Sequence, residues 1–263
     1  MLKIAMFNQK GGVGKTVSSI NIASCLALLD NKVLIVDSDA QANATSYVMS
    51  NGERPESTLV NLFSEKKLKT KDVIKSCSLR NNKTSIDIDI LPISSEIDNF
   101  QVDNGKMLAE RIKEVESEYD YCIFDCSPQR TPISLNSLCA SDYILCPIFP
   151  DVDSIQGYSM ILDLISQLRA SRENSTIELL GMFFNGVSKE NSLDSYIIES
   201  YKEEFGEAIL DTMIRRTTVI TQARYFGLPV NLYKPSHNVS HEYMSLTKEI
   251  LNRIEDKKRK VGR

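Results

Sequence analysis

The chain has 263 residues, 42% of them hydrophobic and 25% charged, with 11 Gly and 8 Pro. Those proportions exclude a disordered chain, a collagen-like repeat and a disulfide scaffold, and the length suffices for a large core in one α/β unit. Lys and Arg number 31 against 35 Asp and Glu, a net charge of −4, which argues against a chain that binds nucleic acid through an overall basic excess.

Short β-rich runs alternate with helical periodicity, the pattern of βαβ units feeding a mainly parallel sheet. The expected fold class is α/β, doubly wound, with helices on both faces of that sheet. Strands are predicted at Leu2 to Asn8, Val33 to Asp37, Ile86 to Leu91, Tyr121 to Cys126, Tyr143 to Pro147, Leu179 to Asn185 and Ala208 to Ile214. A helix through Ile20, Ala23, Leu26 and Ala27 follows the first strand. From Asn51 to Ser85 the pattern is weakest, with helical runs predicted at Leu59 to Phe63 and Asp72 to Cys77. Residues 104 to 118 place Leu108, Ile112 and Val115 on one face, and 153 to 169 do so with Ile155, Tyr158, Leu162 and Ile165, each behind a capping Asp or Asn. The last helix is predicted from a Ser240 cap through Tyr243, Leu246, Ile250 and Ile254. One domain is expected over residues 1–256, followed by a basic tail, 257–263.

No apolar run reaches the roughly 18 residues of a membrane span. The amino terminus enters a strand without a basic leader, and the six cysteines stand singly beside two histidines. A cytoplasmic chain with reduced cysteines is therefore expected.

Chemistry concentrates first in Gln9-Lys10-Gly11-Gly12-Val13-Gly14-Lys15-Thr16, set between a strand and a helix. Glycines let backbone N–H groups wrap phosphate oxygens, Lys15 reaches the β and γ phosphates, and Thr16 offers its hydroxyl to Mg²⁺. Gln9 stands where the general phosphate loop has Gly, and Lys10 adds a second lysine that such a loop does not need. Asp125 ends an apolar strand, where it suits a Mg²⁺ nucleotide site or, read without its neighbours, a turn acceptor. Asp37 and Asp39 share another strand end at i, i+2, and face one side if the strand continues; Asp37 also reads as a helix cap.

The run Lys10 to Thr16 resembles the deviant Walker A loop of the ParA, Soj and MinD group of ATPases. Val33 to Asn43 is similar to the group's second acidic motif, with Ala40 and Ala42 where Pro and Gly are usual. Tyr121 to Pro128 resembles its Walker B strand, and Ile214-Arg215-Arg216 with Tyr225 to Val230 its last core segments, although Gln222-Ala223-Arg224 replaces the usual Glu-Ala-Pro. The resemblance covers almost the whole chain and implies a P-loop ATPase that uses ATP and Mg²⁺. It implies that Lys10 reaches the nucleotide of a second subunit in an ATP-sandwich homodimer, that Asp39 positions the attacking water, and that Thr16, Asp37 and Asp125 serve the metal. Gly11, Gly12, Val13, Gly14, Lys15, Thr16 and Val17 then hold nucleotide, and Asn185 lies where relatives touch adenine, a position that also reads as a strand-end turn.

From Thr212 to His241 the chain has four basic residues, Arg215, Arg216, Arg224 and Lys234, and no acid. With the basic tail, this fits the group's non-specific, ATP-dependent binding of DNA, with Arg215, Arg216 and Arg224 as the contact residues. The resemblance implies a nucleoid-associated partition ATPase with a ParB-like centromere-binding partner and no DNA-reading domain ahead of the first strand. The alternative is a membrane-cycling positioning ATPase like MinD, which needs an apolar face near the carboxy terminus, whereas Val261 is the one large apolar residue after Ile254. A metabolic relative of the nitrogenase iron-protein type would need clustered cysteine ligands, an arrangement that Cys126 and Cys139 do not match.

Overall fold

The fold is taken from a computed structural model, in which residues 1–49, 54–100, 105–151, 154–188 and 190–261 are described. In chain order the first half runs β1 (Leu2–Met6), α1 (Lys15–Leu28), β2 (Val33–Ser38), α2 (Asn43–Val48), α3 (Leu59–Ser64), α4 (Thr70–Val73), β3 (Lys75–Arg80), β4 (Ser85–Leu91) and α5 (Met107–Lys113). The second half continues with β5 (Tyr121–Cys126), α6 (Pro132–Ala140), β6 (Tyr143–Ile148), α7 (Ser154–Ala170), β7 (Glu178–Val187) and α8 (Ser192–Phe205). It closes with β8 (Ile214–Arg215), α9 (Thr218–Tyr225), α10 (Val230–Tyr233) and α11 (Asn238–Val261).

The strands form one sheet in the order β3-β4-β2-β5-β1-β6-β7-β8. Every pairing is parallel except β3 with β4. Because successive side chains alternate across a strand, the sheet divides the core in two. Ala5, Phe7, Leu34, Val36 and Phe124 enter one apolar cluster, and Ile4, Met6, Val33, Ile35 and Ile123 enter the other. Both faces of β2 are buried along its whole length, which explains its unbroken apolar run. Helix α1 shares the second cluster with Tyr243, Leu246, Ile250 and Ile254 of α11. The expected doubly wound sheet is thus found, and β5 matches its predicted bounds residue for residue.

Four expectations change. Asp72 to Cys77 is not one helical run: α4 ends at Val73, and Lys75–Arg80 pairs antiparallel with β4. Cys77 and Leu79 alternate inward there against Ser76, Ser78 and Arg80 outward, a strand period too short to stand out. Among the described side chains of α7, which do not include the predicted Ile155, those of Ile161, Leu164, Ile165 and Leu168 are buried and Leu162 is exposed, so the inward face is rotated from the predicted one. Ala208 to Ile214 is largely a connection, with strand structure at Ile214–Arg215 and a single bridge from Ile209 to Met182. Helix α11 runs from Asn238 to Val261, so Ser240 lies inside the helix rather than capping it, and the basic run is helical at least that far. The predicted caps before 104 and 153 fall at residues outside or beside the described ones, as do Gly262 and Arg263. All six cysteines are buried. No described helix is long and apolar enough to cross a membrane.

Candidate nucleotide site

Neighbouring parallel strands β2, β5 and β1 bring the loops after Ser38, Cys126 and Met6 to one edge of the sheet. Open α/β sheets bind ligands at this carboxyl edge. The glycine loop leaves β1 and turns into α1 through Gly12 (φ 76) and Gly14 (φ 90), both in the left-handed region that glycine adopts without strain. A side chain at Gly14 would also collide with the amide of Asn185. Among the described residues, no protein acceptor takes the backbone N–H groups of Gly11, Gly12, Val13 or Gly14. Four donors therefore surround the amino terminus of a 14-residue helix, whose dipole favours an anion.

Lys15 lies under this loop, 7% exposed, with its ammonium donating to the carbonyls of Asn8 (3.0 Å) and Lys10 (3.2 Å). Burial lowers its pKa, an effect opposed by the nearby charge of Asp125. Asn8 is itself fixed by donating to the carbonyl of Pro147 at 2.8 Å, and its Oδ1 accepts from the Lys10 N–H. The Lys10 ammonium forms an ion pair with Asp151 at 2.6 Å on a partly exposed rim. Thr16 and Val17 are half-buried at the start of α1.

Two carboxylates sit side by side at the floor, Asp37 on β2 and Asp125 on β5, paired in register and both 0% exposed. Asp37 is saturated. Its Oδ2 accepts from the Thr45 N–H and hydroxyl, both at 2.8 Å, and its Oδ1 accepts from the Asp39 N–H at 3.2 Å. Asp125 accepts from the Ser19 hydroxyl on Oδ1 at 3.1 Å, but its buried Oδ2 has no hydrogen-bond partner. Burial raises both pKa values above the ordinary carboxylate range, the Asp37 charge adds to the rise at Asp125, and the Thr16 and Ser19 hydroxyls oppose it. An orphaned carboxylate oxygen in a dry site is costly, and a hard cation that takes few protein oxygens directly satisfies it. The donor set therefore fits Mg²⁺ with a phosphate in the loop.

Asp39 lies past the end of β2 and is half-buried, its Oδ1 accepting from the Gln41 N–H at 3.1 Å. Since the strand ends at Ser38, Asp37 and Asp39 do not extend one strand face toward the site. Ala42 takes φ 50 in the turn after it, the conformation for which the resembled motif has glycine. Asn185 is buried and donates to the Val13 carbonyl at 2.7 Å, bracing the loop from β7. Sequence reasoning missed Thr45, Ser19 and Asp151, and also Arg130. The Arg130 guanidinium binds the side-chain oxygen of Gln9 at 2.8 and 2.9 Å once that amide is oriented to its partners. Ser19, one turn beyond Lys15, was the one of these with a local signal.

The three arginines lie apart from this floor. Arg215 is held by Glu242, which accepts its backbone N–H at 2.9 Å and pairs with its guanidinium. Arg216 is exposed, and Arg224 is exposed with a guanidinium contact to Asn43 at 3.1 Å.

The family model described as an AAA domain matches residues 1–179. The chain belongs to this family, as a ParA/MinD-type P-loop ATPase. It is 28% identical to the sporulation initiation inhibitor protein Soj of Bacillus subtilis over 253 residues, covering 94% of this chain and 97% of that protein. It is 25% identical to the chromosome partitioning protein ParA of Caulobacter vibrioides, covering 98% and 97%. Among solved structures, the septum site-determining protein MinD of Pyrococcus horikoshii, complexed with Mg-ADP, superimposes with a TM-score of 0.75 at 22% identity, covering 95% and 96%. That likeness extends the shared fold through the ATPase core and the carboxy-terminal helices alike.

Proposed function

We propose that this ATPase binds Mg-ATP at the β1, β2 and β5 strand ends and uses hydrolysis to switch a homodimer on and off DNA during partition or positioning of a cargo. The observation that carries the nucleotide assignment is the orphaned Asp125 Oδ2, buried beneath a loop of free N–H donors and a dry lysine. Support for the cargo role comes from the relative named for chromosome partitioning. The bound metal supplies charge neutralisation at the β and γ phosphates.

The protein groups divide the remaining work. Gly11 to Gly14 wrap the phosphates, Lys15 offsets their charge, and Thr16 and Asp125 hold the metal, with Asp37 fixing the β2 end through Thr45. Asp39, beyond the strand, orients the attacking water. Lys10 is paired with Asp151 in the single chain and, released from it, reaches the phosphates of a second subunit. Hydrolysis is slow until a ParB-like partner stimulates it, and the complex is nucleoid-associated. DNA contact comes from Arg216 and Arg224, and from Arg215 to the extent that Glu242 yields it. Membrane cycling is the weaker reading, because the last turns of α11 carry Lys257, Lys258, Arg259 and Lys260 without an apolar stripe.

The test is binding to random duplex DNA with ATP against ADP, across a salt series, alongside the mass of the protein in solution. ATP-dependent dimers that bind DNA and lose it steeply with salt are expected, and Lys10→Ala is expected to bind ATP yet stay monomeric. Equal DNA binding with ATP and ADP, or normal dimers from Lys10→Ala, would contradict the switch.

A further inference from the structure

The acid-free segment carries a feature that neither the phosphate site nor its arginines use. Helix α9 buries Val219 and Ala223, one turn apart, with Ile220 half-buried against the same core, so Thr221, Gln222, Arg224 and Tyr225 face outward. Its end is fixed by a Schellman-type cap. The Leu228 N–H donates to the Ala223 carbonyl at 3.0 Å, the Gly227 N–H to the Arg224 carbonyl at 3.0 Å, and Gly227 takes φ 64. The Tyr47 hydroxyl pins the turn by donating to the Leu228 carbonyl at 3.0 Å. Leu228 turns back against the core, and Tyr225 and Phe226 are left 86% and 57% exposed.

These rings are not scattered. Tyr225 meets Phe226 edge-on with centroids 5.3 Å apart, and Phe226 stacks on Tyr233 at 5.4 Å and 19°. The Lys234 ammonium lies 5.5 Å from the Tyr233 ring centroid, and Arg224 precedes the pair on the same exposed turn. From Phe226 and Tyr233 a cavity of about 910 Å³ continues to the outer strand β3, and among the described residues lining it Arg80 is the only charged one. Three contacting rings are thus flanked by Arg80, Arg224 and Lys234, and among the described residues lining the cavity none is acidic.

We infer that Tyr225, Phe226 and Tyr233 form a stacking platform for the bases of single-stranded nucleic acid, with Arg80, Arg224 and Lys234 meeting its phosphates. The charge of the surface selects a polyanion, and the exposed Tyr225 and Phe226 rings, backed by the half-buried Tyr233, select one with free π faces. Base faces in a duplex are already stacked on their neighbours, so an unpaired strand is the occupant that uses both features. This rests on the DNA-binding reading above and adds to it a preference for unpaired bases.

The chain contains no Trp, so Phe226→Trp places a single tryptophan reporter in the platform. The experiment titrates the full chain, with and without Mg-ATP, with oligothymidylate of about 20 nucleotides, longer than the site of one single-strand-binding fold, and with random duplex. Tryptophan quenching by the single strand, weaker quenching by the duplex, and a salt slope of about −2 for three phosphate contacts are expected. In anisotropy with labelled single strand, the Tyr225→Ala/Phe226→Ala variant is expected to bind about tenfold more weakly or worse, with its ATP-dependent duplex binding retained. Duplex binding without single-strand quenching, or equal single-strand binding by the double variant, overturns the platform and leaves the DNA reading standing. Absence of binding to either nucleic acid overturns both.

Discussion

The β2 and β5 strand ends present the same residue in the same row of the sheet with opposite chemistry. Asp37 and Asp125 are register partners and equally buried, yet the first has three protein hydrogen bonds and the second keeps an oxygen with none. The difference comes from the chain packed around each strand end. After β2 the backbone turns through Ala42 into α2 and returns Thr45 to the carboxylate, closing that end from within. Above Asp125 lies α1, whose Thr16 and Ser19 hydroxyls act on the carboxylate but leave its buried Oδ2 without a hydrogen bond. A carboxylate's place on a strand thus says less about metal binding than whether its oxygens are already spoken for.

The most severe way to break this contrast is Asp125→Asn. Loss of the buried charge is expected to cut Mg-ATP hydrolysis by about 100-fold or more in a phosphate-release assay. The same change should raise the melting temperature of the nucleotide-free protein near pH 8, since a costly buried charge disappears. Asp37→Asn should do the reverse. It weakens the bonds to Thr45 and Asp39, so about 1–3 kcal/mol of stability should be lost in denaturant unfolding while a larger share of hydrolysis survives.

Acidity sharpens the comparison further. Burial pushes Asp125 up to about 7, with the Asp37 charge adding to it. A folded-state pKa above the unfolded one means that the folded chain keeps a proton the unfolded chain has lost, so this contribution favours folding at acid pH and is lost as pH rises through about 7. The nucleotide-free wild type should therefore lose stability between pH 5.5 and 8 more steeply than Asp125→Asn. Saturating Mg-ATP should flatten that slope, as thermal melts can show. The smallest effect is expected at the closed end, where Ala42→Gly relieves a left-handed alanine and should add up to about 1 kcal/mol in denaturant unfolding.

Much of the site was legible in the sequence because a phosphate loop makes demands on the backbone, and backbone demands fix residue types. Gly12 and Gly14 take positive φ, Lys15 is buried beneath them, and Asp125 stands one residue before the end of a strand predicted to its last residue. The parts that sequence reasoning missed depend on long-range pairing. Glu242 ends the acid-free stretch in the sequence but returns along α11 to hold Arg215, so a gap in acids along the chain is not a gap in space. Asp151 reaches Lys10 across 141 positions, and Asn185 reaches Val13 across 172. β3 was missed for a different reason, since an alternation of two buried residues, Cys77 and Leu79, is too brief to outweigh neighbouring helical signals.

That the open oxygen of Asp125, and not the saturated Asp37, takes the metal is tested most directly by calorimetric titration of ATP with and without Mg²⁺ into wild type, Asp125→Asn and Asp37→Asn. Mg²⁺ is expected to tighten ATP binding to wild type and to Asp37→Asn, and that gain is expected to be lost in Asp125→Asn. An undiminished Mg²⁺ gain in Asp125→Asn, or its loss in Asp37→Asn alone, would contradict the assignment.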